Sequence, residues 1–217
     1  MLHKEHASIL KGVVTQELTM VEYKGKDAFP FKNRIHLMMA SNKDFIVPVE
    51  LEDRRFFIVK VGKEQQKNRS YFEKIKKQLN GGGYEALLYE LQNRDLNGVN
   101  LLNYPDTDAI LESKLRSLNS IMSWVFDGLV CGDLPNTKLN VKDLYHTYVE
   151  FTQNLRSRVE PQARWSRDLR LVFPELSTKR RHNAPRHYLW TENDTVEEGR
   201  LCFEERVGMS IDWGIYE

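Results

Sequence analysis

The hydrophobic rhythm of this chain changes partway along, and that change limits the folds open to it. Up to about residue 62 the apolar residues come in short, β-branched, aromatic or Met-rich runs, Leu18 to Tyr23, Phe31 to Ala40 and Phe56 to Val61, which read as strands. From Ser70 they recur three and four residues apart: Tyr71, Phe72, Ile75 and Leu79 share one helical face, and Tyr84, Leu87, Leu88 and Leu91 another. A chain of 217 residues with this order is an α+β or α/β protein with ample core. The strands are too few for a complete doubly wound sheet.

Within the first stretch, about Lys4 to Gly12 reads as a short helix ending at its glycine. Lys24-Gly25-Lys26-Asp27 reads as the turn of a hairpin, with Gly25 free to take positive φ. The run Ile35 to Ala40 ends in Ser41-Asn42, which puts a neutral amide at the carboxyl edge of a strand, where α/β nucleotide sites are built. Twelve residues after Asn42, Arg54-Arg55 precedes Phe56-Phe57. Arginine spreads positive charge over a transferring phosphoryl group, in some systems from a neighbouring subunit.

The helical middle contains Gly81-Gly82-Gly83, which reads as a turn between two helices because no Lys-Ser or Lys-Thr follows it as a phosphate loop requires. Ala109 through Val130 makes one long amphipathic helix or two, broken near Asn119-Ser120. Cys131 to Leu139 is rich in turn residues and is the expected boundary, giving segments 1–62, 63–132 and 133–217. Beyond it come helices at Val141 to Leu155 and Pro161 to Val172, with Pro161 suited to a first turn. Strands at Leu176 to Arg181 and Arg186 to Trp190 follow. Helix, helix, hairpin is the order of a winged helix, a variant of helix-turn-helix.

Charge is balanced overall, 32 basic against 31 acidic, but not along the chain. Nine basic residues lie between Arg156 and Arg186 against three acids, Glu160, Asp168 and Glu175. From Glu192 to Glu217 eight acids face Arg200 and Arg206. A basic block beside an acidic tail points to a nucleic-acid face. Its candidate contacts are Arg164, Arg167 and Arg170, spaced by three along one helix, and Lys179, Arg180 and Arg181 on the hairpin. Lys24 and Lys26 offer phosphate contacts of the same kind at the earlier turn. Cys131 and Cys202 are far apart, with no Cys/His ligand spacing, so neither zinc nor a disulfide framework is expected. No acidic metal cluster stands out, and no apolar run reaches the length of a membrane span.

Four stretches in order, Ile9 to Glu17, Val21 to Asp27, Met39 to Asn42 and Glu52 to Phe57, resemble the back half of the superfamily-three (AAA+ type) helicase domain of phage primase-helicases and primase-polymerases, relatives of the poxvirus-type enzymes. The resemblance is strong to about Val61 and looser after it. It implies that the lysine hairpin contacts DNA, that Asn42 is a sensor asparagine, and that Arg55, with Arg54 beside it, is an arginine finger. It also implies a partial AAA+ sheet, a helical segment and a winged-helix-like tail, ring assembly as a hexamer, and a phage or prophage protein in the host cytoplasm. The family's GxxxxGK(S/T) loop and acidic strand do not occur here. ATP and Mg²⁺ are therefore expected only in a longer or assembled protein, and the chain is read as the C-terminal portion of one. The competing expectation is a standalone winged-helix DNA-binding module without enzymatic role.

Overall fold

Side-chain caps decide where most of the helices begin. The computed structural model describes residues 4–43, 47–53, 55–100, 105–135, 140–174, 176, 178–180, 186–188 and 195–216, with backbone alone for 4–8, 178–180 and 186–188. Three asparagines, Asn68, Asn119 and Asn140, accept hydrogen bonds from the first-turn N–H groups of α2 (Arg69–Gln78), α5 (Ser120–Val130) and α6 (Val141–Asn154). Thr107 does the same for α4 (Asp108–Arg116), and Thr195 with Glu198 forms a reciprocal capping box on α8 (Val196–Val207). Gly208, at φ 74°, ends α8 in the left-handed conformation that glycine adopts without strain. The remaining helices are α1 (Lys4–Thr15), α3 (Tyr84–Asn93) and α7 (Gln162–Val172), the last starting after Pro161.

The strands are few and local. β1 (Leu18–Val21) pairs antiparallel with β2 (Phe29–Lys32), Leu18 opposite Lys32. β3 (Thr178–Arg180) pairs antiparallel with β4 (Arg186–Tyr188). The architecture is thus α+β, dominated by helix. Of the expected strand Phe31 to Ala40 only the first two residues are in β2, and the expected strand Phe56 to Val61 does not form. Residues 33–40 are irregular beyond the first hairpin, and residues 56–61 take no strand partner. Most of their apolar side chains stay in water, Met38 97% exposed and Val61 86%, while Phe56 and Ile58 are half-buried. An inner strand needs neighbours on both edges to satisfy its backbone groups, and among the described residues none is supplied. The first helix also runs past Gly12 to Thr15.

The core lies among α5, α6, α7 and α8. Ile121, Trp124, Val125 and Leu129 of α5 meet Leu144 and Tyr148 of α6, Trp165, Leu169 and Val172 of α7, and Phe203 and Val207 of α8. Leu134, from the turn between α5 and α6, is buried in the same cluster. The core therefore crosses the turn at which the sequence places a boundary between 132 and 133. Arg200 of α8 donates to the carbonyl of Leu129 at 3.1 and 3.3 Å, closing the C-terminal end of α5. Glu204 accepts from the Ile211 N–H and the Trp213 indole, folding the chain after α8 back onto it. Inside α4, Lys114 is buried and donates to the Val207 carbonyl at 3.0 Å, supplying charge to the C-terminus of α8. Burial pulls the Lys114 ammonium below its ordinary range.

Residues 47–53 join the N-terminal part to this core. Val47 and Val49 are buried, and the Val49 N–H donates to Ser117 Oγ at 3.0 Å. Glu52 pairs with Arg206 of α8 at 3.0 Å. On the other side Lys11 of α1 reaches Asp53 at 2.7 Å and Glu50 at 3.0 Å. Burial alone pulls the Lys11 ammonium down, but Asp53 and Glu50 outweigh it and the net shift is upward.

Candidate nucleic-acid interface

Helix α7 is sorted by its own spacing. Trp165, Leu169 and Val172 are buried, while Arg164, Arg167 and Arg170 face water, as the three-residue spacing of the arginines requires. Trp165 anchors the helix. Its ring lies 5.6 Å from Trp124, 5.3 Å from Tyr145 and 6.3 Å from Tyr148, centroid to centroid.

Two phenols of α6 fix the turn that leads into α7. Tyr148 Oη accepts the Glu160 N–H at 3.0 Å and shares a hydrogen bond with Ser120 Oγ at 2.9 Å. Tyr145 Oη donates to the Glu160 carbonyl at 2.8 Å, and burial beside Tyr148 raises its pKa, keeping it a donor. Both backbone groups of Glu160 are thus held by one helix, which sets the angle between α6 and α7. Tyr148→Phe should cost about 1–3 kcal/mol by leaving a half-buried N–H without its acceptor. Urea titration of the variant checks this, and a change within the error of the wild type would remove the phenol from that role.

Between α6 and α7 lies a groove of about 810 Å³, lined by Asn140, Lys142 and Asp143 from the start of α6 and by Gln162, Ser166, Arg167 and Arg170 from the outer face of α7. The Lys142 and Asp143 N–H groups at the start of α6 are already taken by the Asn140 side chain, so the positive character of this groove rests on its side chains. Lys142, Arg167 and Arg170 are exposed and outnumber Asp143. The sequence offers no charge signal for Asn140, Gln162 or Ser166. Asn140 is legible only as a cap before the Val141 run.

The acids in this block are better placed than their number suggests. Glu160 pairs with Arg164 at 3.2 Å, and Asp168 lies 3.7 Å from Arg164 and 3.2 Å from Arg167. Compensation along α7 is therefore substantial, against the expectation of a nearly unpaired basic face. The reason is spacing: 160, 164 and 168 fall four apart on one helical side. Arg170 is the α7 arginine with no ion pair among the described residues.

The hairpin residues are only partly in view. Lys179 and Arg180 lie on the β3 backbone, their side chains outside the described residues, as is Arg181 altogether. At the first hairpin, Lys24 and Lys26 are exposed in the turn between β1 and β2, where Gly25 has φ 79° and the Lys26 N–H bonds to the Tyr23 carbonyl. Tyr23 stacks on Phe29 across the base of that turn.

Among the described residues no hydrogen bond or ion pair joins Asn42 to Arg55. Asn42 lies in an exposed bend. Arg55 is held at its backbone by Asp53 Oδ1, 3.0 Å from its N–H, while its guanidinium, 3.9 Å from the same carboxylate, is 39% exposed. Arg54 lies outside the described residues. Among the described residues no group of three or more His, Cys, Asp or Glu is placed to hold a metal ion, and Leu79–Gly83 is a π turn joining α2 to α3. With no phosphate loop in the sequence and no such cluster among the described residues, the residues present do not fit a complete Mg²⁺–nucleotide site. No helix among the described residues is long and apolar enough to cross a membrane.

Residues 1–55 match a protein family of unknown function, DUF5906. The match ends at Arg55 and leaves the helical core outside it. No curated protein matches the chain. No solved structure matches it either.

Proposed function

We propose that this chain binds DNA through the outer face of α7, the N-terminus of α6 and the β3–β4 hairpin, as the DNA-contacting portion of a replicative helicase of the primase-helicase type. The observation that carries the reading is the groove between α6 and α7. It brings Lys142, Arg167 and Arg170 to one opening, which suits a phosphate backbone. The order α5, α6, α7, β3, β4 is compatible with a winged helix, in which α7 enters the major groove and the hairpin lies along the backbone. Lys24 and Lys26, exposed at the tip of the first hairpin, add a second contact for the strand.

The test is the salt dependence of binding to duplex DNA of unrelated sequences, read by fluorescence anisotropy. Binding should fall steeply with salt, and alike for every sequence, because phosphate contacts release counterions and carry no base information. Absence of binding at low salt overturns the reading. The standalone DNA-binding module passes this test too, so the helicase part needs its own.

For that part, Arg55 is proposed as a group offered to a neighbouring subunit, its backbone pinned by Asp53 and its guanidinium reaching water. In a longer protein that carries a phosphate loop, an Arg55→Ala subunit and a subunit dead in that loop should partly rescue each other's ATP hydrolysis. Co-assembly without rescue would assign Arg55 to its own subunit or to structure.

A further inference from the structure

Two helices of this protein leave their apolar sides uncovered. On α2, Phe72 is 53% exposed and Ile75 37%, and on α3, Tyr84, Leu87, Leu88 and Leu91 all lie between 51% and 59%. Neither helix contains a buried residue. The π turn Leu79–Gly83 joins the two. Two consecutive amphipathic helices with no covered face are unusual in a stable chain, since such a helix draws most of its stability from burial of that face. Contiguous exposed apolar surface of this kind marks an interaction site.

Charge identifies the occupant. The face of α2 forms a groove of about 430 Å³ with Phe72, Ile75 and Leu79 as its apolar floor, edged by Lys67, Arg69 and Lys76, with Glu73 its one acid among the described residues. Helix α2 as a whole carries Arg69, Lys74, Lys76 and Lys77 against Glu73. Helix α3 carries Glu85 and Glu90 and no basic residue. Tyr84, Leu87, Leu88 and Leu91 form a stripe at helical spacing, with Glu85 and Glu90 close to it. An acidic amphipathic helix is the partner that a basic-rimmed apolar groove accepts, and this chain contains one.

We infer that α3 of a second copy of this chain occupies the α2 groove, while α2 of that copy takes α3 of the first, giving a two-fold pair. Such an interface is self-complementary: the same two surfaces on each copy are covered at once, and nothing is left to continue the contact. Phe72, Ile75 and Leu79 meet Leu87, Leu88 and Leu91 of the other copy, and Arg69 and Lys76 lie against its Glu85 and Glu90.

The experiment is sedimentation equilibrium of the full chain and of two charge-reversed variants, all checked for helix content by circular dichroism. Wild type is expected at the mass of two chains. Arg69→Glu with Lys76→Glu makes both surfaces acidic, and Glu85→Lys with Glu90→Lys makes both basic, so each variant alone should associate about a hundredfold more weakly or worse. An equimolar mixture of the two variants should return to the mass of two chains, because each then offers the sign that the other lacks. Folded variants that each keep wild-type association overturn the proposal, as does a mixture that remains at one chain. A wild type at one chain overturns it outright, and a mass above two chains overturns the two-fold arrangement.

Discussion

Trp165→Ala lowers the stability of the helical core by about 3–5 kcal/mol, the range for removing a fully buried indole. The side chain has no exposure and sits against Trp124, Tyr145 and Tyr148. Two losses add: the transfer free energy of the ring, and the aromatic contacts stranded around the cavity it leaves. Total stability of a domain this size is on the order of 5–15 kcal/mol, so the variant loses a large part of it. Chemical denaturation followed by circular dichroism measures the effect. Leu171→Ala, six residues further along the same helix and 55% exposed, is the control and stays within about 0.5 kcal/mol. A Trp165 variant as stable as that control would show that α7 does not rest on this core.

Removing Lys142, Arg167 and Arg170 together flattens the salt dependence of duplex DNA binding. Each lost phosphate contact takes about 0.9 from the slope of log affinity against log salt, so loss of all three contacts removes nearly three units of slope. Arg170 carries the sharpest single prediction, because among the described residues it has no acidic partner to give up. Arg167 must first leave Asp168, 3.2 Å away, so its replacement costs less affinity than that of Arg170. The pair Arg180→Ala and Arg181→Ala tests the hairpin separately by the same slope. An unchanged slope in the triple variant would take the groove out of the binding surface. An unchanged slope in the pair would do so for the hairpin alone.

The helices were legible where pattern and cap agreed. Asn119 sits where the long apolar stretch was expected to break, and the break separates α4 from α5 there. Val141 to Leu155 and Pro161 to Val172 appear within a residue or two of their expected limits. Gly81 to Gly83 joins two helices as expected. The expected strand Phe31 to Ala40 stops at Lys32 and that at Phe56 to Val61 does not form, because an apolar run states a preference for burial, not the identity of a partner, and sheet pairing is non-local. Only the two hairpins, whose partners are neighbours in sequence, were recoverable. At the candidate interface the exposed α7 arginines followed from spacing alone. The pairing of Glu160, Arg164 and Asp168 is equally legible at intervals of four, which a count of charges does not register. Nothing local marks Lys114 as a buried residue beside the end of α8, because its partner carbonyl lies 93 positions away.

The join at 47–53 also sets a hierarchy of opening. Leu51 packed against the core, one hydrogen bond from Val49 to Ser117 and the Glu52–Arg206 pair hold the N-terminal part to the core. Burial of such an apolar side chain contributes about 1.5–3 kcal/mol and an exposed ion pair at most about 1. Release of this join therefore requires less free energy than melting α5 to α8. The two parts behave as separate cooperative units in hydrogen exchange: amides of β1 and β2 exchange through a sub-global opening, while those of α5 and α7 wait for global unfolding. The stretch that matches a protein family and the core that carries the basic groove can thus part and rejoin many times within the folded lifetime of the second.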